Sequence, residues 1–364
     1  MVSRTFVHIG LPKTATTYLQ TIFWANRDHL RAAGLVVPGA ERRDHLWSSR
    51  EVREDPHHAK ASAYQRGAWQ RVLSELRSAT GTGLVSHEFF AAASAQQAQA
   101  MVQQLPGEVE VVVTAREPLG LFAASWQESL KNGATAAMPD YGRTESESPL
   151  AIWNWRTLDL RLVLERWSQA VAPERIHVLV LDPTAPRDDI WHRFADTLGI
   201  DAHGVDLSSS FANSSMGVAE AEALRRINTH LTGFTKAFDK GVYIRTYLAD
   251  ERLVPRKGDR FWPEPDQIED CRQRGQAAVD LLAGGGFQVD GSLTNLLVPE
   301  DLPQRRSTLS VSEAEVAEVL AALSATMLSD VRSQRRQLAK VRKRLESTPT
   351  GWAQRIARRL GRRA

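Results

Sequence analysis

The first residues whose types and spacing could do chemistry lie at positions 8 to 20, HIGLPKTATTYLQ. An apolar run over 4–10 ends at Gly10, Lys13 follows three residues later, and Thr14, Thr16 and Thr17 stand beside it where helical spacing begins, near Thr14. A strand that turns at once into a helix leaves first-turn N–H groups unpaired and sets the positive end of the helix dipole at the turn. Lys13 adds a full charge and the threonines add hydroxyl donors, so the chemistry of this turn is anion binding. A nucleoside-triphosphate loop needs G-x-x-x-x-G-K-[ST]. Here Pro12 occupies the place of its second glycine, and the loop is too short and stiff to encircle a triphosphate. Asp182, at the end of VLVLD, matches the magnesium-binding aspartate of a phosphate-loop kinase or NTPase, but apolar runs ending in aspartate are common.

Such a turn must be held by a sheet. Apolar, β-branched runs at 4–10, 34–37, 83–90, 108–116 and 175–182 alternate with helical stretches at 14–33, up to 105, 119–131 and 150–172. That pattern predicts an α/β fold, a P-loop-like central parallel sheet flanked by helices, with ligands at the carboxyl ends of the strands. Residues 41–66 read as loop with short helical pieces, and 132–149 as a Gly/Pro/Ser-rich loop. Beyond Asp182 the pattern is helical at 187–198, 217–237, 266–284 and 312–345. The α/β core is therefore expected to end near 200, with a helical cap to about 300, a connecting helical region over 301–328 and a tail over 329–364.

Composition fits a soluble globular chain: 42% apolar and 24% charged residues in 364. The single cysteine, Cys271, excludes an intramolecular disulfide and a cysteine-based zinc site and fits a reducing compartment. With no signal-peptide pattern and no apolar stretch near the roughly 20 residues that span a bilayer, a cytoplasmic protein is expected. The net charge of +3 is uneven: from Arg332 onward twelve basic residues face one acid, Glu346, giving a tail of about +11 on a body of about −8. The basic character belongs to the tail, and the body is not expected to bind nucleic acid.

Pro12-Lys13-Thr14-Ala15-Thr16-Thr17 resembles the 5′-phosphosulfate loop of the sulfotransferase family, P-K-[ST]-G-T-[ST], with Ala15 in place of glycine. Residue 15 is expected to take an ordinary helical conformation, which alanine tolerates. The family's 3′-phosphate motif, R-x-P with a serine eight residues on, is matched by Arg116-Glu117-Pro118 after VVVTA, but the serine falls one residue late, at Ser125. Arg116 at a strand end suits bidentate phosphate recognition. WQESLKNG (126–133), WNWRTLDLRLVLERW (153–167), IWHRFADTLGI (190–200) and NSSMGVAEAEALRRIN (213–228) are similar to a bacterial, actinobacterial-type branch, and RKG at 256–258 matches a loop that touches the 3′-phosphate in cytosolic sulfotransferases.

The resemblance implies 3′-phosphoadenosine 5′-phosphosulfate as co-substrate, no metal, and transfer of a sulfuryl group to a hydroxyl or amine. It implies that Lys13 and the first-turn N–H groups neutralise charge on the bridging oxygen, with Pro12, Thr14, Ala15, Thr16, Thr17, Arg116 and Ser125 holding the donor. A base must take the acceptor proton. His87 and Glu88, in LVSHEFF, are the candidates; neighbours on a strand face opposite ways, so one of them enters the site, and Glu88 is favoured by analogy with Ser-x-Glu in related sequences. His45 is a weaker candidate, expected to be a solvated loop residue. Trp126, Trp153, Trp155 and Trp167 are expected mainly in the core, with any that reach the cleft stacking on a sugar or aromatic acceptor.

The acceptor class stays open among carbohydrate, lipid headgroup, peptide and secondary metabolite. Two rivals stay open too: a P-loop kinase or NTPase, and a non-catalytic nucleotide-binding protein acting through its basic tail. In that tail Val331, Leu338, Val341 and Leu345, then Trp352, Ile356 and Leu360, punctuate basic sequence. This pattern suits peripheral contact with an anionic membrane.

Overall fold

The computed structural model describes residues 1–208 and 215–346. In chain order the elements are β1 (Arg4–His8), α1 (Thr16–Ala25), α2 (Arg27–Ala32), β2 (Leu35–Val36), α3 (Arg43–Val52), α4 (Pro56–Ala59), α5 (Ala63–Arg66), α6 (Ala68–Ser78), β3 (Thr82–Ser86), α7 (Ala95–Gln104), β4 (Glu108–Ala115) and α8 (Pro118–Lys131). Then come α9 (Trp155–Leu158), α10 (Leu160–Trp167), β5 (Ile176–Val180), α11 (Asp189–Leu198), α12 (Val218–His230), α13 (Ala237–Asp239), a π-helical segment (Lys240–Leu253), β6 (Phe261–Trp262), α14 (Pro265–Gly284), β7 (Gln288–Asp290), β8 (Arg306–Ser307) and α15 (Glu313–Glu346).

Six strands form one parallel sheet in the order β2-β3-β1-β4-β5-β7. Because side chains alternate across a strand, each buried strand feeds two cores. Val7, Val85, Val111, Val113, Ile176 and Val178 meet α6, α7, α8, α10, α12 and α14 on one face. Phe6, Leu84, Val112 and Leu179 meet α1, α2 and α11 on the other. In register, His8 lies opposite Ser86 of β3 and Val112 of β4. The chain leaves β1 toward β2 on one side and leaves β4 toward β5 on the other, so the crevice between their carboxyl ends is where ligands bind in such sheets.

The parallel sheet with helices on both faces follows the sequence pattern. Three short strands depart from it, of which β6 and β8 pair with each other in a separate two-stranded parallel sheet. β7 joins the sheet edge at Gln288–Asp290, beyond the point where only helices were expected. It is three residues long and largely exposed, so no apolar run signals it; Arg193 of α11 fixes it by bonding Asp290. The helix expected over 150–172 breaks at Asp159, which caps α10 by accepting from the Leu162 N–H.

α15 is docked at its start, where Val316, Val319 and Leu323 are buried. Asp330 accepts hydrogen bonds from Tyr247 and Arg252 of the π-helical segment. Further on, Val331, Leu338, Val341 and Leu345 are exposed. The tail residues Trp352, Ile356 and Leu360 lie outside the described residues. Among the described residues no helix is long and apolar enough to cross a membrane.

Candidate functional site

Pairing between β1 and β4 continues past the end of β1. Ile9 and Leu11 donate backbone bonds to Val112 and Thr114 (3.0 and 2.8 Å), and Thr114 donates back to Gly10. Gly10 sits at φ +108°, and a Cβ there would lie 3.1 Å from both Glu88 Cβ and Pro12 N. Only glycine combines that conformation with that contact. Lys13 (φ 67°) and Ala15 (φ 62°) are both left-handed, flanking Thr14, and α1 starts at Thr16. Alternating left-handed residues before a helix turn successive N–H groups toward one concavity, an anion nest. The N–H groups of Ala15, Thr16 and Thr17 find no acceptor among the described residues.

Two expectations are corrected here. Ala15 does not take a helical conformation; it is the left-handed residue before α1, a conformation that alanine takes only under strain. The Thr14 hydroxyl does not face the nest. Thr14 is fully buried, donates to the Leu11 carbonyl at 2.5 Å and is bonded to the Thr114 hydroxyl at 2.7 Å. Thr16 is nearly buried, and Thr17 is exposed.

A polar floor lies under the loop. His8 is bonded to Ser86 Oγ at 2.8 Å and reaches Thr114 Oγ1 at 3.4 Å, which links β3, β1 and β4 beneath the nest. Burial pushes the His8 imidazole down to about 4. His45 is not a solvated loop residue: it lies buried on α3, accepting from the Ser86 N–H and bonded to the Pro38 carbonyl at 2.8 Å. Its role is to tie the end of β3 to the chain after β2, and burial likewise pushes it down to about 4.

Beside the loop stand His87 and Glu88. β3 ends at Ser86, and Glu88 opens a 3₁₀ turn, so strand alternation no longer separates the pair. His87 Nδ1 and Glu88 Oε2 are 3.8 Å apart. His87 Nδ1 accepts from the Phe89 N–H at 3.1 Å, and burial outweighs the Glu88 charge to hold the ring near 4. Glu88 accepts from Gln20 Nε2 of α1 at 2.9 Å, and Gln20 is in turn held by Arg42. Burial pushes its carboxyl up, but His87, a backbone N–H and Gln20 together bring it below the usual range. Phe89 packs edge-on against His87 and Trp153, at 4.7 and 6.0 Å between ring centroids. Trp153 is half-buried, whereas Trp126, Trp155 and Trp167 are core residues.

Lys13 has a partner that the sequence did not reveal. Its Nζ donates to Glu128 Oε2 of α8 at 2.7 Å, while Arg245 of the π-helical segment contacts Glu128 Oε1. The Glu128 side chain is only 4% exposed. Burial pushes it up, but Lys13, Arg245 and Lys131 hold it below the usual carboxylate range.

At the end of β4 the Arg116 guanidinium bonds Glu117, whose carboxylate caps α8 by accepting from the Gly120 N–H. A Cβ on Gly120 would meet Arg116 Nη2 at 2.3 Å, so the glycine makes room for the guanidinium. Ser125 is corrected: it is fully buried, bonded to the Tyr141 hydroxyl at 2.6 Å, and is not brought to Arg116. One residue turns a helical side chain by about 100°, and Ala124 holds the partly exposed position. Arg256 of the RKG segment is engaged with Glu220. Asp182 is occupied by the Thr184 N–H and hydroxyl. Among the described residues no group of three or more His, Cys, Asp or Glu is arranged to hold a metal ion.

No family model matches the chain, and no curated protein matches it. Among solved structures the chain is similar to a sulfotransferase from Alicyclobacillus acidocaldarius, at 17% identity and a TM-score of 0.42, over 57% of this chain and 85% of that one.

Proposed function

We propose that the protein is a sulfotransferase that moves a sulfuryl group from 3′-phosphoadenosine 5′-phosphosulfate to a hydroxyl or amine. The observation that carries this reading is the Gly10–Thr17 nest, where left-handed Lys13 and Ala15 and the unpaired N–H groups of Ala15, Thr16 and Thr17 precede α1, with Glu88 packed against Gly10. Arg116 stands at the end of the adjacent strand, about 5 Å away laterally in a sheet of ordinary spacing, and would take the 3′-phosphate. Its partner Glu117 would have to yield one guanidinium edge. The motif resemblance over residues 12–17 and 116–118 supports the same donor.

In the proposed reaction Glu88 takes the acceptor proton as the acceptor oxygen or nitrogen bonds to sulfur. The bond from sulfur to the bridging oxygen breaks, and the adenosine 3′,5′-bisphosphate that leaves is charge-stabilised by Lys13 and the nest. Glu88 suits the base better than His87. A base needs a free lone pair, and the Nδ1 lone pair of His87 is spent on the Phe89 N–H, which puts the ring proton on Nε2. Phe89 and Trp153 then form the apolar wall against which a carbohydrate, lipid headgroup or secondary-metabolite acceptor would lie. The basic outer part of α15 would hold the enzyme against an anionic membrane surface on the cytoplasmic side.

Calorimetry with adenosine 3′,5′-bisphosphate and transfer of labelled sulfate to acceptors in cell extract test the reading. Lys13→Ala should lower transfer by on the order of 10²–10³. Near-normal turnover in that variant removes the loop from the mechanism.

A further inference from the structure

Lys13 and Arg245 converge on the two oxygens of one nearly buried carboxylate, Glu128. The cations come from distant elements, the nest before α1 and the π-helical segment, and the side chain of each is about a third exposed. Lys131, the third cation acting on Glu128, is taken by Asp250 at 2.6 Å. Glu128 therefore gives the loop lysine and one arginine the same negative partner that an anion in the nest would give them.

We propose that Glu128 is a built-in counter-anion for the site and that Arg245 is its second cation, both released to an incoming phosphate or sulfate group. Resting on the proposed donor site, the clamp adds to it a residue from a segment no motif covers. With the nest empty, Glu128 satisfies both cations and keeps two positive charges from repelling across the cleft. When a more highly charged anion enters, Lys13 and Arg245 turn outward to it, and Lys131 remains close to Glu128. Anion entry thus always competes with an internal carboxylate.

The sign of one substitution separates this from a scaffolding role. If Glu128 merely props Lys13 in place, Glu128→Gln weakens anion binding. If Glu128 competes, Glu128→Gln removes both the rival ion pair and the repulsion it exerts on the bound anion. Affinity for adenosine 3′,5′-bisphosphate and for inorganic sulfate should then rise about threefold to tenfold, the scale of a partly exposed ion pair. Arg245→Ala should weaken both by about tenfold. The double variant decides Arg245: if the arginine only neutralises Glu128, Glu128→Gln/Arg245→Ala binds as tightly as Glu128→Gln alone, whereas a clamp residue leaves it weaker.

Titration calorimetry on the full chain, with thermal melts to verify folding, reads all four proteins. Unchanged or weaker binding by Glu128→Gln overturns the proposal while leaving the sulfotransferase reading intact. No binding of either probe by the unsubstituted protein overturns both. Should Glu128→Gln not fold, Glu128→Met, of similar length and uncharged, replaces it alone and with Arg245→Ala: tighter binding by the single variant and weaker binding by the double than by the single support the clamp, and any other order overturns it.

Discussion

Acidification should unfold this protein well before its carboxylates are fully protonated, because three buried histidines converge under and beside the anion nest. His8, His45 and His87 each fall from the ordinary 6.5 to about 4, with burial the largest cause in every case. A group whose folded value is depressed in this way binds its proton more readily when unfolded. For a histidine, the stability from staying neutral is complete above 6.5, drains as pH falls toward 4, and is flat below. At 1.36 kcal/mol per unit, each contributes about 3 kcal/mol. The three together approach 10 kcal/mol, the whole stability of an ordinary domain. The His45 nitrogen that accepts the Ser86 N–H has, moreover, no lone pair once protonated.

Guanidinium unfolding at half-unit steps from pH 7.5 to 4.5 measures it. Stability should fall with a slope approaching three protons, about 4 kcal/mol per unit at the steepest. His45→Gln, which cannot titrate, should remove about a third of the slope. Stability that is level between pH 7 and 5, or a slope below one proton, would refute the claim that these rings are buried and neutral.

Arg116→Ala should weaken adenosine 3′,5′-bisphosphate by about tenfold, the worth of a charged hydrogen-bonded contact, with little change for adenosine 5′-monophosphate; equal effects on both in calorimetry would take Arg116 out of the 3′-phosphate role. Glu88→Gln should abolish transfer yet keep donor affinity within about twofold, and a variant pair in which His87→Ala is inactive while Glu88→Gln still turns over would reverse the choice of base. A chain ending after Arg332 keeps Asp330, the partner of Tyr247 and Arg252, and should retain its fold while losing sedimentation with anionic vesicles at low salt; a full-length chain that ignores such vesicles would dismiss the membrane contact.

What was legible in the sequence, and what was not, divides by the range of the interactions. The β-branched runs of β1 and β4 announce themselves because both faces are buried, and Gly10, Lys13 and the threonines announce the turn because its chemistry is local. Ala15 misled because sequence gives the residue but not its φ, and glycine-like conformation at alanine has no compositional mark. Ser125 misled because one helical step turns a side chain by about 100°, here from a partly exposed position into the core. Glu128 was present inside a quoted motif, yet its meaning depends on Arg245, 117 residues further on, in a π-helical segment whose periodicity matches neither the strand nor the α-helix pattern. β7 was missed because three exposed residues at a sheet edge carry no pattern at all.

The relation among Lys13, Glu88 and Arg116 is finally a matter of register. They hang from three neighbouring strands, and each is counted from the row where His8 faces Ser86 on one side and Val112 on the other. A slip of one residue in either ladder would move Glu88 or Arg116 by about 3.3 Å along the sheet and turn its strand's side chains to the other core. Apolar faces alone penalise that slip by burial, but the short β1 offers only five residues to do so. His8 adds a polar lock: its ring bonds to Ser86 on β3 and to Thr114 on β4, and Thr114 bonds onward to Thr14 in the loop. A slipped ladder leaves those buried groups unpaired, at a cost of about 1–3 kcal/mol for each. The neutral histidine on which the expected acid sensitivity rests is thus also the residue that fixes Glu88, Lys13 and Arg116 relative to one another across the three strands.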